Sequence, residues 1–222
     1  MNYDMIESRK SPSPFDWPEG DIIHTSVRID GNAYFVEMQL DLEEHRRRNA
    51  LGLGAVISTG LLYALWELPY GVGIPREKLS SLDCETLDNA GDGWTEAASN
   101  NITRCYQPPG KVQSIAITDR SLARAVQRVA AHPPTTKRLA IWLASHLNPS
   151  PRTTPTMERA RRLGIGVISS DGSVFEELIT PADAAIGRPA VFRWWQAELA
   201  YRNWLTRIAP TVRAATTDES HS

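Results

Sequence analysis

Residues 112–130 read VQSIAITDRSLARAVQRVA, and the architecture of the chain is decided there. Val112 to Thr118 is apolar and β-branched enough for a short strand, and Ser121 to Ala131 follows as a helix with Leu122, Ala125, Val126 and Val129 on one face. Toward the C-terminus, Pro133 and Pro134 end this helix, and Leu139 to Ala144 is a continuous apolar run of strand length. A proline-containing loop from Pro149 to Pro155 leads to a short helix at about Met157 to Leu163, which Gly164 stops. Gly166 to Ser170 and Val174 to Ile179 flank Asp171 and Gly172, the pattern of a terminal hairpin.

Toward the N-terminus, IIHTSVRIDGNAYFVEMQL has β-branched and aromatic residues on both sides of Asp30, Gly31 and Asn32, which predicts a hairpin turning there. Asp41 to Leu68 reads as one helix, acidic in its first turn (Glu43, Glu44), then apolar all round and therefore buried, ending before Pro69. Lys78 to Leu87 is expected as a strand and Asn89 to Asn101 as a loop. Ala190 to Ile208 forms an amphipathic helix with Val191, Trp194, Ala197, Tyr201, Trp204 and Ile208 as its apolar stripe, and Arg193, Gln196, Asn203 and Arg207 on the polar side. Residues 1–20 are expected as a loose arm, 21–209 as a single α/β domain and 210–222 as a disordered tail. The element order favours a central mixed sheet flanked by helices, with an N-terminal β-hairpin and a C-terminal amphipathic helix.

The totals agree with a globular domain: 222 residues, 41% hydrophobic and 23% charged. Cys84 and Cys105 can pair only once, and the start MNYDMIESRK lacks the pattern of a secretory signal, so a reduced, cytoplasmic setting with free thiols is expected. The longest uncharged run, Ala50 to Trp66, has 17 residues and three glycines, short of the ~20 apolar residues a membrane span needs. The net charge of −2 hides an asymmetry: residues 1–110 carry 9 basic and 17 acidic side chains, and residues 111–165 carry 10 and 2. That basic third is suited to attract phosphates, although solvated faces produce such fields too.

The succession QSIAITDRSLARAVQRVA, RLAIWLAS and ERARRLGIGVISSDGSVFEELITP resembles the second half of the PD-(D/E)XK nucleases, the RecB-like and restriction-endonuclease-like group. The likeness covers residues 111–181 and implies a restriction-endonuclease-like core over about 43–181. In that family a strand bearing Glu-x-Lys runs into a helix that often carries a glutamine; Gln127 falls at that glutamine, and residues 162–168 resemble the closing segment. Where Glu-x-Lys belongs, this chain has Ala116, Ile117 and Thr118, none of which can hold magnesium or supply a cation to a developing phosphate charge. Asp83 stands as a counterpart of the family's upstream aspartate and Glu67 as the acid of its first helix.

Arg120, Arg124 and Arg128 recur every four residues, so on a helix they share a face that can track a phosphate backbone; a solvated surface has the same spacing. Arg159, Arg161 and Arg162 extend the positive charge without sharing one face. On a strand, Asp83 and Glu85 would point the same way and hold a divalent metal, with Asp119 as a third ligand; solvated carboxylates are the plainer alternative. The five histidines, His24, His45, His132, His146 and His221, lack the paired spacing of a zinc site, and no phosphate-binding or dinucleotide-binding glycine motif occurs. Trp194, Trp195 and Trp204 suit base stacking or a partner's groove, and equally a helix core.

These residues point to a non-catalytic, nuclease-like protein that binds nucleic acid, or a partner that processes it, through Arg120, Arg124, Gln127 and Arg128. Two alternatives stay open. One is a magnesium- or manganese-dependent nuclease using Asp83, Glu85 and Asp119; the other is an interaction or regulatory module, self-associating or binding a protein, with no nucleic-acid role.

Overall fold

Alternating apolar and polar side chains create the first two strands, β1 (Ile22–Ile29) and β2 (Asn32–Leu40), paired antiparallel from Ile22↔Gln39 to Ile29↔Asn32. Gly31, at φ +77°, turns the chain between them. The computed structural model describes residues 22–29, 31–98, 100–132, 134, 136–143, 153–171, 174–183 and 190–218, and no side chain at 190 or beyond 207. The expected N-terminal arm, Asp30, Pro133, the loop residues 149–152, Gly172, the side chain of Ile208 and the end of the tail lie outside the described residues.

After β2 come α1 (Leu42–Ala50) and α2 (Thr59–Glu67), where one helix over Asp41 to Leu68 was expected. The break has a local cause. Gly52 adopts φ +68° after Leu51, Arg48 O accepts from Leu53 N–H at 2.8 Å, and Ser58 caps a new helix by accepting from Leu61 N–H. Nor is the segment buried all round: Leu62, Ala64 and Leu65 are buried, but Tyr63 and Trp66 on α2 are 56% and 40% exposed.

β3 (Gly73–Pro75) and a 3-10 turn at Arg76–Lys78 lead to α3 (Ser81–Asp88), which replaces the expected strand over Lys78 to Leu87. Ser80 caps α3 by accepting from Asp83 N–H, and its hydroxyl donates to the Asp83 carboxylate. The expected loop Asn89 to Asn101 contains β4 (Thr95–Ala98), which pairs with β5 (Asn101–Arg104); β3 joins the other edge, giving a small antiparallel sheet in the order β3-β5-β4.

The second half follows the sequence closely. β6 (Gly110–Asp119), α4 (Leu122–Ala130), β7 (Lys137–Leu143), α5 (Thr154–Arg162), β8 (Ile165–Ser170) and β9 (Phe175–Ile179) alternate in the expected order. The main sheet is mixed, six strands in the order β1-β2-β6-β7-β8-β9, with β6, β7 and β8 parallel and the other neighbours antiparallel. The last element, α6 (Ala190–Asp218), continues past Pro210, where a disordered tail was expected; a proline removes one backbone donor, and this helix runs on without it.

α4, α5 and α6 cover one face of the main sheet. The four predicted residues of α4 are all buried there, with Ile115, Ile117, Ala140, Val167, Ala197 and Tyr201. A second core gathers Leu62, Leu65, Leu68, Leu87, Trp94, Ile102 and Tyr106 between α2, α3 and the small sheet, and Val191 of α6 reaches into it. At about 1.5–3 kcal/mol per fully buried large apolar side chain, both cores contribute substantially. Gln196, expected on the polar side of α6, is instead buried at 2% exposure.

The two cores meet at a buried ionic knot. Arg48 of α1 donates to Glu44, to both carboxylate oxygens of Glu198 on α6, and to the carbonyls of Gly54 and Gln107. Glu198 also accepts from Val56 N–H and the Tyr106 hydroxyl. Trp94, Tyr106 and Tyr201 rings surround the guanidinium at 4.7, 5.5 and 5.3 Å. Burial opposes the Arg48 charge, yet its bonds to Glu198 and Glu44 outweigh burial and hold its pKa above the ordinary value.

Candidate nucleic-acid interface

The basic face is organised by one carboxylate. Asp119 ends β6; its Oδ1 accepts from Ser121 N–H at 2.9 Å, and its Oδ2 lies 3.2 Å from Arg128 Nη1 and 3.8 Å from Arg124 Nε. Ser121 caps α4 by accepting from Arg124 N–H. Arg120 therefore precedes the helix instead of belonging to its stripe, and its carbonyl accepts from the Trp142 indole on β7 at 3.2 Å. Arg120, Arg124 and Gln127 are exposed and Arg128 partly so, with the guanidinium groups of Arg124 and Arg128 drawn together by Asp119.

Asp119 is thus committed to a backbone donor and two guanidinium groups, surroundings that oppose a metal cation. Asp83 and Glu85 do not share a face as they would on a strand: they lie on α3, where residues two apart project about 200° from one another. Asp83 instead lines an open groove of about 460 Å³ with Tyr63, Glu67, Ile74, Lys78, Leu79 and Ser80. The structure therefore brings Asp83 together with Glu67, but with neither Glu85 nor Asp119. Among the described residues, no three His, Cys, Asp or Glu side chains gather closely enough to hold a metal ion.

The strand expected to lack Glu-x-Lys is β6, and its register shows what stands there. Ser114 faces Glu37 of β2 on one side and Lys137 of β7 on the other, while His24 of β1 faces Glu37. The neighbouring row is Phe35, Ala116 and Leu139. Period-two alternation puts both rows on the face opposite α4, α5 and α6, since Val36 and Ile115 belong to the helix-covered core. Glu37 is 5% exposed and its Oε1 has no hydrogen-bond partner; burial pushes its pKa up, and the Lys137 charge opposes that rise. Lys137 Nζ lies 3.7 Å from Asp183.

Sequence reasoning missed Glu37. Its one local signal is a carboxylate inside the apolar alternation of β2, Phe35-Val36-Glu37-Met38. Elsewhere the basic third is thinner on the surface than its count, because Arg138 is buried and donates to the carbonyls of His132 and Leu163. Arg159, Arg161 and Arg162 are exposed in the last turn of α5. His24 is exposed, His45 contacts Tyr201 and Asn49, and His132 stacks edge-on against Tyr34; His146 and His221 lie outside the described residues. Cys84 and Cys105 are free thiols. Trp194, Trp195 and Trp204 are partly buried against the cores. No described helix is long and apolar enough to cross a membrane. Compared with known proteins, the chain matches no family model, no curated protein and no solved structure.

Proposed function

We propose that this protein is a non-catalytic, nuclease-like protein that binds nucleic acid through the α4 face. The observation that carries the proposal is the Asp119-ordered pair, Arg124 and Arg128, beside exposed Arg120 and Gln127. Guanidinium forks donate two parallel hydrogen bonds to a phosphate, and ordering them beforehand reduces the side-chain entropy lost on binding. One carboxylate among three arginines leaves the patch positive.

The absence of turnover is supported by the β2-β6-β7 row, where Glu37 is the one carboxylate and Ser114 and Ala116 occupy β6. Phosphodiester hydrolysis by a metal ion needs several hard oxygen ligands converging on it. The rival nuclease that would use Asp83, Glu85 and Asp119 with magnesium or manganese loses support, because those three do not converge.

The test measures binding of duplex and single-stranded DNA across salt concentrations, for the parent and for Arg120→Ala/Arg124→Ala/Arg128→Ala. For every phosphate that an arginine no longer neutralises, the slope of log K against log salt should flatten by about 0.7–0.9. No binding by the parent, or an unchanged slope in the variant, rejects the proposal. Cleavage of plasmid in either metal would reject its non-catalytic half.

A further inference from the structure

We infer that the groove between α2 and α3 is a docking site for the α5 helix of a second copy of this chain. The groove has an apolar floor from Ile74 and Leu79, the ring of Tyr63, and the carboxylates of Glu67 and Asp83 set against one cation, Lys78, with Ser80 completing the lining. Tyr63 and Trp66 project from α2 into solvent at 56% and 40% exposure, and Leu82 on α3 is 71% exposed. A helix that buries Leu62 and Leu65 on one side and shows two aromatic rings on the other has a second face suited to a partner.

The charge of the region says which kind of partner. Residues 59–98 carry seven acidic and two basic side chains; of the two basic ones, Arg76 is held by Asp88 in a two-pronged ion pair at 2.6 and 2.9 Å, and Lys78 stands in the groove wall, outnumbered there by Glu67 and Asp83. The groove therefore suits a cationic segment that also offers an apolar side chain. The chain itself carries one. α5 buries Met157 and Ala160, and its other side presents Arg159, Arg162 and Leu163, residues spaced i, i+3 and i+4 on one face. Leu163 is 38% exposed. In this contact Leu163 meets Ile74 and Leu79, while Arg159 and Arg162 approach Glu67 and Asp83.

Within one molecule α5 packs on β8, β9 and α4, whereas α2 packs on α3 and α6, so the match is made between molecules. Groove and helix are different surfaces, which makes the contact head-to-tail, and each pair of copies keeps one free groove at one end and one free helix at the other for further growth. This contact is independent of the nucleic-acid proposal, because none of its residues is Arg120, Arg124 or Arg128.

Sedimentation velocity at low ionic strength tests it with the full chain and two variants, a groove variant (Tyr63→Ala/Glu67→Arg) and a helix variant (Arg159→Glu/Arg162→Glu). All the altered side chains are exposed, and circular dichroism melts check that each variant folds. The parent should form species larger than a dimer as concentration rises and dissociate with added sodium chloride. Either variant alone should associate at least about tenfold more weakly. Mixed together they should form a 1:1 heterodimer and nothing larger, since only the intact groove of one and the intact helix of the other remain. A parent that stays monomeric, variants that associate like the parent, or a mixture without heterodimer would each overturn the inference.

Discussion

Arg48 and Glu198 meet as a two-pronged ion pair at 2.8 and 3.0 Å, and neither side chain is exposed to solvent. A charge so enclosed is stable only while its partner remains. Replacing Arg48 with Met should leave Glu198 as an uncompensated buried charge, while Glu44 keeps its pair with Arg47, and cost about 3–5 kcal/mol in urea unfolding. The joint replacement Arg48→Met/Glu198→Leu should cost less than the single one, because Glu198 is then no longer left as a lone buried charge. A single variant within about 1 kcal/mol of the parent would show that the knot contributes little.

Glu37 makes stability depend on pH. In the unfolded chain its carboxyl ionises near the ordinary value of 4.5; in the fold burial holds that ionisation to higher pH. The stabilisation is therefore whole below 4.5 and is lost as pH rises through the folded value. Glu37→Gln should gain in melting temperature over the parent at pH 7 and lose the advantage at pH 4. Lys137→Met, which removes the opposing charge, should steepen the parent's loss.

His45 works from the acid side. Burial, aided by the nearby charges of Arg46 and Arg48, lowers its pKa below the usual 6.5, and its ring lies 2.9 Å from the Tyr201 hydroxyl and 3.0 Å from the Asn49 amide nitrogen. As pH falls below 6.5 the unfolded chain takes up a proton that the fold resists, so stability declines until the folded value is passed. His45→Gln should flatten the urea midpoint between pH 7.5 and pH 5.5; an unaltered slope would assign the effect elsewhere.

Gly110 starts β6 where its backbone crowds β2. A β-carbon there would run into the Gln39 carbonyl oxygen and come within 3.1 Å of Leu40 Cα, both backbone atoms that cannot swing aside. Gly110→Ala should therefore destabilise by about 1–3 kcal/mol, measured by urea denaturation.

Much of the second half was legible because each element carried its own punctuation. Ser121 caps α4, Gly164 follows α5, and β7 between them carries the apolar run Leu139 to Leu143. The first half misled because competing signals were weighed by apolar content alone. Gly52 and Ser58 divide what looked like one helix, and the Ser80–Asp83 cap outweighs the apolar residues that suggested a strand. β3, β4 and β5 are three or four residues long, too short to show a period. At the candidate sites, the arginines of α4 are neighbours in sequence and could be read together. Glu37, Ser114 and Lys137 meet only through strand register, which local spacing does not encode.

α6 places Val191 in the small core, Glu198 in the ionic knot and Tyr201 in the main core, all along one stiff rod. Displacing that rod as a whole strips support from both halves of the molecule at once. Calorimetry should accordingly trace a single heat-absorption peak, with no partly melted species in which the small sheet has gone and the large one survives.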